Sequence, residues 1–139
     1  MVKQIFVNLP VRDLEATREF FGKLGFAFNE QFTDENATCM VIGENLYVML
    51  LVESFFQTFT AKEIVDATQR VEVLNALSVE SREEVDEFLE KGLAAGGTEP
   101  REPQDRGFMY SRALQDLDGH VWEFFYMDMS QMPEEPAEM

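Results

Sequence analysis

Asp116-Leu117-Asp118-Gly119-His120-Val121-Trp122-Glu123-Phe124-Phe125-Tyr126-Met127-Asp128 is the stretch that decides the fold. Asp118-Gly119 marks a tight hairpin turn, because glycine accepts the positive φ that such turns require. The run after it is aromatic and β-prone and predicts a strand. On a strand's alternation Val121, Glu123 and Phe125 share one face, while Trp122, Phe124 and Tyr126 share the other. Both faces are apolar, which predicts a strand covered on both sides with Glu123 as its one ionisable residue. A carboxylate in such a place is costly unless it is paired, ligated or protonated. Glu123 is therefore the first candidate functional residue.

Upstream of the turn, Phe108 to Leu114 reads as the preceding strand. Before it, Ser81-Arg82-Glu83-Glu84 has the pattern of a capping box, and Val85, Phe88, Leu89 and Leu93 stripe the helix that it opens. Gly96-Gly97 stops that helix. Val71 to Val79 precedes it as a strand, and Thr98 to Glu102 is a further short strand in a proline-containing segment. The second half is thus β-α-β-β-β.

The first half has the same grammar. Val2 to Leu9 alternates as a strand, with Pro10 limiting how far its pairing runs. Asp13 is a helix N-cap, and Leu14, Thr17, Phe20, Phe21 and Leu24 form one apolar stripe. Gly25 ends the helix and Phe26-Ala27-Phe28 begins the next strand. Ala37 to Ile42 and Leu46 to Val52 flank Gly43-Glu44-Asn45, a hairpin by its turn chemistry. Adding 68 to first-half positions carries Phe6 onto Leu74, Leu9 onto Leu77, Val11 onto Val79, Asp13 onto Ser81 and Phe20 onto Phe88. Strand, cap and helix face coincide at one offset, which indicates a pair of repeated modules rather than a solenoid. The fold class is α+β, with two tandem βαβββ modules. The first module covers residues 1–53 and the second 71–129. Residues 54–70 connect them, with Thr60-Ala61-Lys62-Glu63 opening a short helix through about Thr68. Residues 130–139 form a disordered acidic tail.

Composition narrows the function classes. The chain has 139 residues and a formal net charge of -16, from 27 acidic and 11 basic side chains. Such a chain repels phosphate backbones and anionic lipid, so neither nucleic acid nor a membrane is an expected partner. Hydrophobic content of 45% with 13 Phe suffices for a packed interior. Cys39 is the only cysteine, read as a buried core thiol, and a reducing cytoplasm fits. No signal-peptide core or run of membrane-spanning length is present. His120 is the only histidine and reads as a turn residue, and Asp116 and Asp118 read as Asx-turn formers rather than a cation site. Phe55, Phe56 and Phe59 read as core or subunit packing in preference to a lid over a ligand.

A tandem βαβββ repeat ending in Asp116-x-Asp118-Gly119-x-x-x-Glu123 resembles the vicinal oxygen chelate superfamily, which includes glyoxalase I, extradiol dioxygenases and bleomycin resistance proteins. Asn8-Leu9-Pro10-Val11-Arg12-Asp13 and Phe20-Phe21-Gly22-Lys23-Leu24-Gly25-Phe26 carry the resemblance further, and it spans residues 2 to 128. It implies that the two modules form a curved sheet around a shared cavity, and it implies a homodimer, with Phe55 to Phe59 a candidate contact. In metal-dependent members the first and last strands of each module each supply a ligand. Those positions fall on Phe6, on Leu74, on Glu123 and, with the register open, within Tyr47 to Leu50. Only Glu123 is a donor among them, so no metal and no other cofactor is expected.

The reading that follows is a metal-free binder of a small, partly apolar organic ligand. Phe6, Asn8, Leu74, Glu123 and Phe125 face the ligand, and Asn8 and Glu123 orient its polar groups. Arg101, Arg106 and Arg112 lie near or on the strands of the rim, and one of them, with Arg112 assigned to the ligand, is a candidate partner for an anionic group or for Glu123; ordinary surface charge is the plainer reading. Met109 and Tyr110 are candidate lining residues. Two alternatives stand beside it. One is a lyase, isomerase or dioxygenase of the glyoxalase type, with Glu123 as its catalytic base or as a metal ligand aided by Glu53. The other is an interaction protein whose cavity is filled by its own side chains.

Overall fold

The computed structural model describes residues 1–131. The chain divides into two compact units, Met1–Arg70 and Val71–Met139. Each is a βαβββ module built on a four-stranded mixed sheet. The disordered tail expected over residues 130–139 lies, from 132 onward, outside the described residues.

The first unit runs β1 (Ile5–Val11), α1 (Leu14–Lys23), β2 (Ala27–Asn29), β3 (Ala37–Gly43) and β4 (Leu46–Val52), followed by a one-turn helix α2 (Glu53–Phe56). The sheet order is β1-β4-β3-β2, with β1 parallel to β4 and the other pairs antiparallel. Asp13 caps α1 by accepting from the Ala16 amide at 3.0 Å. Gly25, at φ 102°, turns the chain out of the helix in the left-handed region that glycine tolerates. Thr17, Phe20 and Phe21 on α1 are buried, as are Leu9, Val11, Met40, Val48 and Leu50. Pairing runs through Pro10 to Val11, further than Pro10 was expected to allow. An edge strand needs donors on one side only, so proline is tolerated there.

The second unit runs β5 (Leu74–Ser78), α3 (Arg82–Ala94), β6 (Gln104–Asp105), β7 (Met109–Gln115) and β8 (Val121–Met127), in the order β5-β8-β7-β6. Ser81 caps α3, its Oγ accepting from the Glu84 amide at 3.0 Å, and Glu84 reaches back to the Glu80 amide at 2.8 Å. Val85 and Leu89 are fully buried, and Phe88 stacks on Phe124 with ring centroids 4.6 Å apart. The strand expected over Thr98 to Glu102 reduces to a single bridge, Thr98 to Gln115. Pro100 and Pro103 remove the donors that would extend it.

Thr60-Ala61-Lys62-Glu63 does not open a helix. Instead Thr60 Oγ1 accepts from the Lys62 amide at 3.1 Å, and Gln57 Nε2 donates to the Thr60 and Lys62 carbonyls. The only helical turns of the connector come earlier, at α2 and at a 3-10 turn over Gln57–Phe59. None of residues 60–70 is buried, so no packing supports a helix there and side-chain bonds to backbone win locally.

Candidate functional site

The turn before β8 builds one end of the site. Asp116 is buried, and its carboxylate accepts from the Asp118 and His120 amides, each at 2.9 Å, and from Trp122 Nε1 at 3.0 Å. Burial pushes the Asp116 carboxyl up from its ordinary value, and these donors pull the other way. The carboxylate is thus a structural clamp that holds an Asx turn and fixes where β8 starts. Gly119, at φ 92°, completes the turn.

From there the register is set. Gln115 lies opposite Val121, Ala113 opposite Glu123, and Ser111 opposite Phe125. On the other side of β8, Leu74, Ala76 and Ser78 of β5 lie beside Val121, Glu123 and Phe125. These residues share the face of the sheet away from α3. Trp122 and Phe124, on the helix-covered face, are 1% exposed, whereas Val121, Glu123 and Phe125 are only half-buried. The expectation that β8 is covered alike on both sides is corrected: one face packs on α3, while the other grades from buried Ala113 and Ser111 to open Leu74, which is 55% exposed.

Glu123 is paired. Arg101 Nη2 donates to Glu123 Oε2 at 3.2 Å and to Ser111 Oγ at 3.1 Å, while Arg101 Nη1 donates to the Glu102 carbonyl at 3.1 Å. The two side chains are 26% and 24% exposed, so the pair sits at the surface of this face without being submerged. Arg101 thus holds the place in which Arg112 had been a candidate. Arg112 lies opposite Phe124 and so points to the helix side of the sheet. There it makes a bidentate bond to Glu99 (2.9 and 2.9 Å) and reaches Asp86 at 2.9 Å and Glu90 at 3.4 Å. Tyr110 donates to Asp86 at 2.6 Å in the same cluster. Arg112 and Glu123 are on opposite faces, and Arg112 is a fastening between β7, α3 and the Glu99 segment. The Arg106 backbone amide bonds the Met109 carbonyl at 2.8 Å.

In the first unit the equivalent face carries Phe6 and Asn8. Phe6 is 44% exposed and stacks on Tyr47 at 4.8 Å, with ring planes 16° apart. Asn8 is exposed, and its amide donates to the Phe6 carbonyl at 3.2 Å. The register that sequence left open is now fixed: Asn8 lies beside Met49 as Ala76 lies beside Glu123, so Met49 is the counterpart of Glu123. Glu53 is exposed at the start of α2. Phe125 and Leu74 share the Glu123 sheet, and Phe6 and Asn8 share the other.

The metal that the fold family implies can now be tested against its donors. Phe6 and Met49 in one unit, and Leu74 in the other, offer no oxygen or nitrogen; Glu123 alone does, and it already holds Arg101. Among the described residues no three His, Cys, Asp or Glu side chains gather as a metal site. These residues do not fit a divalent ion.

Comparison with known proteins places this architecture. Residues 3–43 match the family model described as bleomycin resistance protein-like, N-terminal. The chain is similar to a glyoxalase-related enzyme from Fulvimarina pelagi, at 20% identity over 98% of this chain and 96% of that one, TM-score 0.78. It is also similar to a hypothetical protein from S. aureus at 32% identity, covering 91% and 94% of the two chains, TM-score 0.77. The chain belongs to the vicinal oxygen chelate superfamily. A further superfamily member, a glyoxalase/bleomycin resistance protein/dioxygenase family enzyme from Burkholderia phytofirmans, matches at 20% identity over 88% and 96%, TM-score 0.73. No curated protein matches the sequence. Within the superfamily this chain is one whose ligand-position residues carry a single carboxylate.

Proposed function

We propose that this superfamily member binds a small, partly apolar organic ligand without a metal, on the α3-free face of its second sheet. The observation that supports this most directly is the Arg101–Glu123–Ser111 group set in a half-open apolar face. Leu74, Val121 and Phe125 offer area, and a few fixed polar groups offer orientation, which is the usual division of labour in small-molecule sites. Exposed Phe6, stacked on half-buried Tyr47, and Asn8 give the first sheet a similar, uncharged face.

A thermal-shift screen over aromatic acids, thiol conjugates and peptide-like antibiotics tests the reading. A ligand at about 100 times its Kd adds roughly 2.7 kcal/mol, which for a chain of this size is on the order of 8 °C. Leu74→Trp fills the open side of the face, where there is room for it, and should abolish the shift at unchanged fold. A wild type that no compound stabilises, or hits that Leu74→Trp leaves intact, would count against it.

The same reading includes a cytoplasmic homodimer. Supporting it, β1 and β5 are edge strands that leave Ile5, Phe6 and Leu74 exposed, and Cys39 is a free thiol. Sedimentation at the mass of one chain across micromolar concentrations would refute the dimer. No helix among the described residues is long and apolar enough to cross a membrane.

A further inference from the structure

We infer that the ligand carries adjacent opposite charges on an apolar body, as an α-amino acid with a hydrophobic side chain does; this rests on the ligand-binding reading above. The argument starts from what Arg101 and Glu123 do to each other. Their 3.2 Å contact makes the face locally neutral, although each group keeps about a quarter of its side-chain surface in reach of solvent. Arg101 is further tied to Ser111 Oγ and to the Glu102 carbonyl, so the guanidinium is held in place rather than free to swing away. On Glu123 the engaged oxygen is Oε2, which leaves Oε1 to accept from a newcomer.

A singly charged ligand meets this pair at a disadvantage. An anion that binds Arg101 approaches Glu123 as well, and either suffers its repulsion or strips it of its partner. A cation that binds Glu123 meets Arg101 in the same way. In both cases one half-desolvated charge is left uncompensated, which is the costly outcome for a polar pair. A ligand with a carboxylate and an ammonium on one carbon meets both charges at once and leaves none uncompensated. Its carboxylate extends the Arg101 donors, and its ammonium is a donor for Oε1. The surrounding Leu74, Val121 and Phe125 then receive the apolar side chain. The net charge of -16 does not select an anion or a cation at this spot, because the local balance is one to one.

Arg101 reaches the face on the connector between α3 and β6, and that connector is fastened at two points just upstream. Thr98 exchanges backbone bonds with Gln115 at 3.1 and 2.7 Å, and Glu99 makes its bidentate bond to Arg112 on the other side of the sheet. The cation is therefore presented by a braced segment, with little ordering left to do when a ligand arrives.

The test compares three probes that share a phenyl body: L-phenylalanine, 3-phenylpropionate and 2-phenylethylamine, titrated calorimetrically against the full chain. For the wild type, L-phenylalanine should bind at least about tenfold more tightly than either singly charged probe. Glu123→Gln frees Arg101 and should reverse the order in favour of 3-phenylpropionate. Arg101→Gln should reverse it in favour of 2-phenylethylamine, and it keeps the test alive if Glu123→Gln does not fold. If a singly charged probe equals L-phenylalanine on the wild type, the inference is overturned while the ligand-binding reading stands. The same holds if the wild type binds none of the three but Glu123→Gln binds 3-phenylpropionate. If neither wild type nor variants bind any probe, and the broader screen is also silent, both fall together.

Discussion

Replacing Arg112 by Met, which keeps an unbranched side chain but removes the charge, should destabilise the fold by about 2–3 kcal/mol at pH 7. Breaking a buried ion pair from one side typically costs about 3–5 kcal/mol, because the partner is left behind. Here the Arg112 side chain is 12% exposed and Glu99 22%, so that bidentate bond is close to the buried case. Asp86 and Glu90 are 49% and 68% exposed and can rehydrate, so their shares fall toward the roughly 0–1 kcal/mol of surface pairs. At roughly 3 °C per kcal/mol for a chain of this size, the melting temperature should drop by about 6–9 °C. The loss should also depend on pH. The Tyr110 hydroxyl and then Arg112 hold the Asp86 carboxyl below its ordinary value. A depressed acid contributes stability above its unfolded pKa, near 4, and loses it as pH falls through the lower folded value. Only the arginine's share of that disappears in the variant, so the gap between wild type and variant should narrow by the Asp86 share, about 0–1 kcal/mol, as pH falls below about 4 toward the lower folded value. Paired thermal melts by circular dichroism across that range provide the measurement. A gap that widens as pH falls, or one below about 2 °C at neutrality, would refute this account of the cluster.

Two further outcomes follow from the core. A Cβ at Gly92 would lie 2.3 Å from Leu114 Cδ2, and Leu114 is fully buried; Gly92→Ala should therefore lower the urea midpoint, overpacking at about 1–3 kcal/mol outweighing the roughly 1 kcal/mol gained in helix propensity. Cys39 is 1% exposed and burial pushes its thiol up from its ordinary value, so a thiol reagent at pH 8 should label it slowly in the native state and quickly in urea; immediate labelling of the native chain would contradict its placement.

The repeat was legible in the sequence because caps and stripes are local signals. Asp13 and Ser81 stand where the structure caps α1 and α3, and Phe20 and Leu89 lie on the buried faces. Pairing register is not local, and Met49 could be matched to Glu123 only once β1 was set beside β4 and β5 beside β8. The hairpin of β7 and β8 did not help: counting outward from Asp118-Gly119 as a two-residue turn sets Leu114 opposite Glu123, whereas the turn in fact closes at Asp116 and His120 and sets Ala113 there, so the count could not have named Ser111. Arg101 had no signal either. It sits between Pro100 and Pro103, where strand alternation does not apply, so nothing in the sequence told its face from that of Arg112. Thr60 to Glu63 misled for the opposite reason: the motif was intact, but Ile64 and Val65 after it are not buried, so no packing holds a helix.

Glu123 belongs to a strand, whereas its counter-charge arrives on a short proline-bounded connector that ends at Thr98 on one side and β6 on the other. The acid is written into the sheet's own framework of hydrogen bonds; the base is an attachment. Altering a handful of residues between Thr98 and Gln104 can invert, remove or relocate the positive charge while every strand keeps its neighbours. In a scaffold of this kind, a change of preferred molecule needs no redesign of the sheet, and a library confined to those positions is the economical place to look for one.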